Sequence, residues 1–190
     1  MIFFVTGASG SGKTACMPYL RQLLPEVMFY DFDAVGVPPQ AGVAWRQQTT
    51  EHWLQQAIVH QAELLDTVVC GGALLGEILA CPSAPEVNGI AVFLLDCADV
   101  VRIDRLRSRG THGATQDMLN WAAWQRLHAV DPQWRPDVIQ QQSAPGMLWA
   151  RWAGWQRGDP RWQVWLMDTT APSPKEVAER IADWVHKQQQ

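Results

Sequence analysis

Residues 7 to 14 read Gly-Ala-Ser-Gly-Ser-Gly-Lys-Thr, which fits the phosphate-binding pattern G-x-x-x-x-G-K-[ST], the Walker A loop. In this pattern the glycines allow positive φ angles, so that backbone N–H groups turn inward around an anion. Lys13 would place its charge on the β- and γ-phosphates of a nucleotide, and Thr14 would offer a hydroxyl to Mg²⁺. The residues expected to contact the nucleotide are Gly7, Ser9, Gly10, Ser11, Gly12, Lys13 and Thr14.

The sequence on either side of this loop supports the interpretation. The apolar run Ile2–Thr6 precedes it and is typical of a strand buried on both faces. Residues 15–24 place leucines on one helical face, although Pro18 should kink or shorten that helix. A strand, a glycine-rich loop and a helix, in this order, are the context that the pattern requires.

Further strand-like runs occur at residues 27–30, 67–70, 90–95 and 162–167, with helical periodicity between them. This alternation predicts a three-layer α/β fold, with a parallel sheet of about five strands and helices on both faces. In the helix after the fourth run, Val100, Ile103 and Leu106 mark the expected buried face. We assign residues 1–190 to a single domain, with a lid and a tryptophan-rich helical insertion at about 110–161.

Composition excludes several classes of protein. The net charge of −4 argues against a nucleic-acid partner. No stretch is long and apolar enough to span a bilayer, and the first strand begins at residue 2, so we expect neither a membrane partner nor a signal peptide. The four cysteines match no zinc pattern and are expected to be buried thiols in a reducing compartment, the cytoplasm.

Two carboxylates, Asp31 and Asp33, follow the second predicted strand. Residues just past the carboxyl end of a parallel strand line the ligand crevice, and the i, i+2 spacing directs both side chains to one side. One carboxylate could hold a water molecule of Mg²⁺ while the other orients or deprotonates an attacking hydroxyl. The alternative is a carboxylate that caps a turn or a helix.

Arginines and glycines supply further candidates. Arg105 and Arg109 lie one helical turn apart after the fourth run. They either neutralise the charge of a phosphoryl group or form a basic face that interacts favourably with the helix dipole near its C-terminus. Gly71 and Gly72 follow the third run, and Arg46 opens the helical stretch after the aspartates. The two glycines also fit an ordinary turn, and Arg46 also fits a solvated surface position.

With these features the chain resembles the small P-loop kinases, such as shikimate, gluconate, adenylate and nucleoside kinases. The resemblance implies a kinase that transfers the γ-phosphoryl group of Mg-ATP to a hydroxyl or phosphate of a small molecule. By likeness to shikimate kinase, Asp31 would join Thr14 in the metal shell and Asp33 would position the acceptor hydroxyl.

The resemblance also implies roles for the remaining candidates. By likeness to adenylate kinase, Arg105 would stack on the adenine and Arg109 would reach the phosphates. The expected catalytic residues are then Lys13, Asp33 and Arg109, and the expected acceptor-binding residues are Asp33, Arg46, Gly71 and Gly72. The identity of the acceptor and the oligomeric state stay open.

A competing hypothesis is a P-loop ATPase or nucleotide-binding regulatory protein without a small acceptor. The run 90–95 ends at Asp96 as a Walker B strand does, so that Asp96 could be the metal carboxylate. Cys97 follows, where a hydrolytic ATPase commonly has a glutamate that activates water. A third possibility is a binding protein in which bound ATP only stabilises the fold and is not consumed.

The tryptophans at 149, 152 and 155 recur every three residues, with Arg151 between them and Arg157 just after them. This spacing fits either a helix face packed against the sheet or an aromatic, basic wall for an acceptor.

Overall fold

The computed structural model describes residues 1–110 and 113–189; Thr111 and His112, which fall in the predicted lid, lie outside the described residues. The strands are β1 (Ile2–Thr6), β2 (Met28–Asp31), β3 (Thr67–Gly71), β4 (Ile90–Asp96) and β5 (Val164–Asp168). The helices are α1 (Lys13–Leu23), α2 (Val43–Ala62), α3 (Leu75–Ala80), α4 (Asp99–Ser108), α5 (Gln116–Val130), α6 (Asp137–Gln140) and α7 (Pro174–Gln188).

The predicted parallel sheet is confirmed, with five strands in the order β2-β3-β1-β4-β5 and every neighbouring pair parallel. From β1 the chain first builds β2 and β3 on one side and then β4 and β5 on the other. Ligands of open α/β sheets bind beyond the carboxyl ends of the strands where the strand order reverses. The glycine-rich loop follows β1 and therefore lies at that point.

Helices cover both faces of the sheet, which explains why every residue of β1 is buried. Phe3 and Val5 point to one face and pack with apolar residues of α1 and α7. Ile2 and Phe4 point to the other face and pack with residues of α2, α3 and α5. A strand covered on both sides needs apolar side chains at consecutive positions, and this is the pattern of residues 2–5.

The ends of two helices show how local sequence sets the fold. Ser173 and Glu176 form the reciprocal side-chain to backbone pairs of a capping box at the start of α7. In α1 the expected shortening at Pro18 does not occur, and the helix continues to Leu23. Pro18 is exposed, so its ring meets solvent rather than the core.

The three regularly spaced tryptophans do not lie on an α-helix. Residues Trp149–Arg151 form a single 3-10 turn, and the expected α-helical face is wrong. The Trp152 ring is 1% exposed, and its Nε1 donates a hydrogen bond of 2.8 Å to the carbonyl of Gly76. Trp149 and Trp155 pack half-buried against the same core. These rings therefore stabilise the fold and do not form an acceptor wall.

A buried histidine lies within this aromatic core. The His128 ring stacks on Trp124 with centroids 4.6 Å apart and meets the edge of Trp162. It is 3% exposed, and burial lowers the pKa of His128 from 6.5 to about 4. The folded protein therefore resists protonation of this ring.

We expect the free energy of unfolding to fall as the pH is lowered from about 6.5 to about 4. In that range the unfolded chain binds a proton at His128 that the folded chain does not, so acid favours unfolding. The pKa difference corresponds to about 3 kcal/mol. Urea unfolding at pH 7 and pH 4.5 measures the change, which should be smaller in His128→Gln and unaltered in His186→Gln, at an exposed position on α7. An NMR titration that places the His128 pKa near 6.5 would contradict the prediction.

In the part of the chain that the structure describes, no helix combines the length and apolarity needed to cross a membrane.

Candidate active site

The glycine-rich loop connects β1 to the first turn of α1. Gly12 caps this helix in the left-handed region, with φ 99°, and α1 begins at Lys13. The N-terminus of α1 is therefore directed at the loop, where the unpaired N–H groups of the first turn and the helix dipole favour an anion. The fold thus places groups that can bind an anion at the carboxyl end of the central strand.

Gly7 is the position in the loop where a side chain is least acceptable. Its φ is +144°, and a Cβ built there would lie 2.2 Å from the carbonyl oxygen of Leu95 in β4. The backbone of the loop thus passes directly against the neighbouring strand. Gly10 also has a positive φ, and a Cβ there would meet the Arg102 side chain at 3.0 Å.

We expect Gly7→Ala to destabilise the protein by about 2 kcal/mol or more, because both the φ angle and the contact with β4 must change. Gly154→Ala is the matched control, since a Cβ there meets nothing within 4 Å and its φ is not in the left-handed region. Denaturant unfolding measures both variants, and the control should stay within about 0.5 kcal/mol of the parent. Equal stability of the two variants would contradict the loop geometry.

Lys13 lines the cleft formed by this loop. Its ammonium group donates hydrogen bonds to the carbonyl oxygens of Gly7 and Ala8. Burial lowers the pKa of Lys13 to about 8, and the positive charges of Arg102 and Arg109 act in the same direction. An anion bound in the cleft would restore a favourable partner for this ammonium group.

Asp31 and Asp33, at and just after the end of β2, have separate positions. Asp31 ends β2, and its Oδ1 accepts a hydrogen bond of 3.0 Å from the backbone N–H of Asp33. It therefore caps the 3-10 turn Phe32–Val35, as in the alternative interpretation of this carboxylate. Asp33 instead lines the cleft beside Lys13. Burial, and then the charge of Asp31, raise the pKa of Asp33.

Gly71 has a packing role. A Cβ at this position would lie 1.9 Å from the Cβ of Phe32, so only glycine lets the end of β3 meet the turn that carries Asp33. Gly72 follows, and a Cβ there would be 3.6 Å from the Cδ of Arg46, an ordinary contact. Both glycines line the cleft, together with Arg46.

The cleft has a volume of about 230 Å³ and brings most of the predicted site residues together. One wall consists of the glycine-rich loop with Lys13 and Thr14, and other parts come from β3, α2 and α5. The residues that line it are Gly7, Ala8, Ser9, Gly10, Gly12, Lys13, Thr14, Asp33, Arg46, Gly71, Gly72, Arg109, Trp121 and Gln125.

A second cavity of about 340 Å³ adjoins the loop on the side of α4 and α7. Arg105 and Arg109 line it, and Arg109 also lines the first cleft. The Arg105 guanidinium is anchored, because its Nη2 donates 2.7 Å to the carbonyl of Thr169 and its Nη1 lies 3.3 Å from the carbonyl of Gly10. The pair predicted from the sequence thus lies where a nucleotide bound to the loop would extend.

Asp96 is not among the residues that line the cleft. Its carboxylate pairs with Arg102, which is fully buried, and with Nη1 of Arg126 at 2.9 Å. Arg102 also donates 2.7 Å to the carbonyl of Ser9 in the loop. Asp96 therefore supports the loop through an arginine and lies among residues that line a different surface pocket.

Several residues of this site were missed by the sequence interpretation. Arg102 takes a buried position on α4, whereas Val100, expected on the buried face, is 72% exposed, so that expectation was wrong.

Glu77 is a single carboxylate in an apolar run, a pattern that can signal a buried ion pair. Thr169 is 1% exposed, and its Oγ1 lies 2.8 Å from the carbonyl oxygen of Ser11 and 2.9 Å from that of Asp96. Trp121 and Gln125 gave no signal that separated them from other residues of α5.

Similar solved structures extend over nearly the whole chain. A sugar kinase from Janibacter sp. HTCC2649 superposes with a TM-score of 0.61 at 15% identity, covering 97% of this chain and 94% of that one. The tunicamycin resistance protein of Deinococcus radiodurans gives 0.57 at 17% identity, with coverages of 97% and 94%. A gluconokinase from Sinorhizobium meliloti 1021 gives 0.50 at 18% identity, with coverages of 99% and 97%.

The protein has the fold of the small P-loop kinases. No protein-family model matches the sequence, and no curated protein is significantly similar to it. The likeness to these kinases therefore lies in the architecture.

Proposed function

We propose that the protein is an ATP-dependent phosphotransferase that moves the γ-phosphoryl group of Mg-ATP to a hydroxyl or phosphate of a small molecule. The observation that carries the proposal is the single cleft in which Lys13 and Thr14 lie together with Asp33. Phosphate-binding groups and a carboxylate that can receive a proton are thus close to one another. Phosphoryl transfer depends mainly on positioning and on electrostatic stabilisation, and groups of these kinds can supply both.

The donor side of the site would work by positioning and charge. The loop N–H groups and Lys13 would hold the phosphates, and Arg109 would neutralise charge on the transferring group, since it borders both cavities. Arg105 would lie against the nucleoside in the second cavity. Thr14 fits a role as ligand of Mg²⁺ because it is exposed to the cleft at the start of α1. Mg²⁺, when bound, supplies positive charge to the phosphate oxygens.

On the acceptor side, Asp33 would accept the proton of the attacking hydroxyl. The acceptor oxygen then bonds to the γ-phosphorus, the bond from that phosphorus to the β–γ bridging oxygen breaks, and ADP leaves. A raised pKa suits a general base, because it makes the carboxylate a better proton acceptor. Asp31 would act indirectly, by capping the turn that holds Asp33, and a place in the metal shell stays a prediction for its second carboxylate oxygen.

The pairing of Asp96 weighs against the competing ATPase hypothesis. A carboxylate engaged by Arg102 and Arg126 would have to leave both partners to serve a metal in the cleft.

The four cysteines are free and buried, which supports action in the cytoplasm.

The test is a thermal-shift titration with Mg-ATP, followed by an ADP-release assay over a panel of hydroxyl compounds. We expect Mg-ATP to raise the unfolding temperature and ADP release to depend on an acceptor. If Mg-ATP does not change the unfolding temperature, the proposed nucleotide site is contradicted. ADP release that needs no acceptor, and is lost in Asp96→Asn, would favour the ATPase.

A further inference from the structure

The acceptor side of the cleft contains an arginine whose charge is already neutralised. The Nε and Nη2 of Arg46 donate hydrogen bonds of 2.8 and 2.7 Å to the two carboxylate oxygens of Glu77. Glu77 is fully buried on α3, and Nε2 of Gln47 donates a further bond of 3.0 Å to it. A buried carboxylate cannot lose its cation without a large cost. Arg46 is therefore committed to Glu77.

The Arg46 guanidinium is also fixed in orientation. It lies over the Trp121 ring, 5.1 Å from the centroid, and that ring stacks on Trp124 with centroids 5.1 Å apart and planes within 8°. Trp121 thus contacts both a guanidinium and a second indole ring. Within the described residues, Nη1 of Arg46 makes no hydrogen bond, and Arg46 lines the cleft, so Nη1 can still donate to a bound molecule.

The charge of the acceptor side follows from these contacts. Asp33 and Glu77 each contribute a negative charge, and Arg46 contributes one positive charge, so the three groups together carry one negative charge. Lys13 and Arg109 are positive, and in the proposed function both serve the phosphates. An acidic acceptor would be repelled by Asp33 and attracted only by an arginine that Glu77 has neutralised.

The groups that remain suit hydroxyls. Asp33 can accept a hydrogen bond, Arg46 can donate from Nη1, and Gln125 brings a carboxamide to the cleft from α5. Gln125 is 4% exposed, and its Oε1 has no hydrogen-bond partner among the described residues. Such donors and acceptors around a small polar cleft match a molecule that carries several neutral hydroxyl groups.

We propose that the acceptor is an uncharged polyhydroxy compound, a sugar or polyol, and that the Arg46–Glu77 pair excludes the corresponding acids. This assignment rests on the proposed phosphotransferase function. It gives Glu77, which does not itself face the cleft, a specificity role: by holding and neutralising Arg46 it sets the charge that an acceptor meets.

The experiment compares acceptors in pairs that differ by a terminal carboxylate. ADP release with Mg-ATP is measured for glucitol and gluconate, ribitol and ribonate, and glucose and glucuronate. We expect kcat/KM to be at least about 10-fold higher for the uncharged member of an active pair. Higher kcat/KM for the acids, or no turnover of any uncharged compound by a protein that binds Mg-ATP, would overturn the assignment. Absence of a Mg-ATP thermal shift would instead overturn the proposed function.

Two variants separate the charge of the pair from a purely structural role. Glu77→Gln removes one negative charge and releases Arg46, so it should shift the kcat/KM ratio toward the acids by about 10-fold or more, with KM for ATP unchanged. The double variant Arg46→Met with Glu77→Gln restores the net negative charge, and it should again disfavour the acids while raising KM for the uncharged acceptor. If Glu77→Gln does not fold, the double variant still tests the assignment. A double variant that loses turnover of the acids but keeps turnover of the uncharged acceptors would show that Arg46 binds a carboxylate, and this would overturn the assignment. An unchanged acid-to-neutral ratio in Glu77→Gln would overturn the specificity role.

Discussion

Lys13→Ala should lower kcat for phosphoryl transfer by at least about 100-fold, because it removes a preorganised positive charge from the phosphate site. Lys13 lines the cleft, and burial lowers its pKa to about 8, so its charge is poorly solvated until an anion binds. Its interaction with the transferring group should therefore be strong. Initial rates of ADP release at saturating Mg-ATP and acceptor measure the loss, and the thermal shift with Mg-ATP should shrink in parallel.

Lys187→Ala is the matched control for this variant. Lys187 is exposed in the last turn of α7, and the neighbouring Gln189 contacts Asp66, whereas the start of α7 borders the second cavity, which Arg105 and Arg109 also line. The control removes the same charge from the far end of that helix and should retain the parent's rate. Equal rates in Lys13→Ala and the parent would show that the glycine-rich loop is not the site of phosphate binding.

The sheet and the phosphate loop could be predicted because both depend on local sequence. Residues 2–5 are apolar without alternation, which requires cover on both faces, and the spacing of Gly7, Gly12 and Lys13 encodes the loop. Position past a strand end placed Asp33 in the cleft. The same rule did not separate it from Asp31, whose Oδ1 accepts a hydrogen bond from the backbone N–H of Asp33 and caps the turn.

The acceptor side could not be predicted because its contacts join distant parts of the chain. Arg46 meets Glu77 from another helix, and Trp121 covers it from a third. Nothing near Arg46 in the sequence indicates that its charge is neutralised. The tryptophans were misleading for the same reason: a spacing of three at 149–155 occurs without an α-helix, because each ring is held by the core and not by helical periodicity.

The acceptor-side prediction with the largest expected effect concerns Asp33. Asp33→Asn should reduce kcat by about 100-fold or more with little change in KM for ATP, because the amide keeps the shape of the carboxylate but cannot accept the proton of the attacking hydroxyl. Asp183→Asn, at an exposed position on α7, is the matched control and should leave the rate unchanged. The Mg-ATP thermal shift should persist in both variants, since the loop and Lys13 are intact. If Asp33→Asn instead lost ATP binding and kept its kcat, Asp33 would belong to the metal shell, and the proton of the acceptor would have to leave by another route.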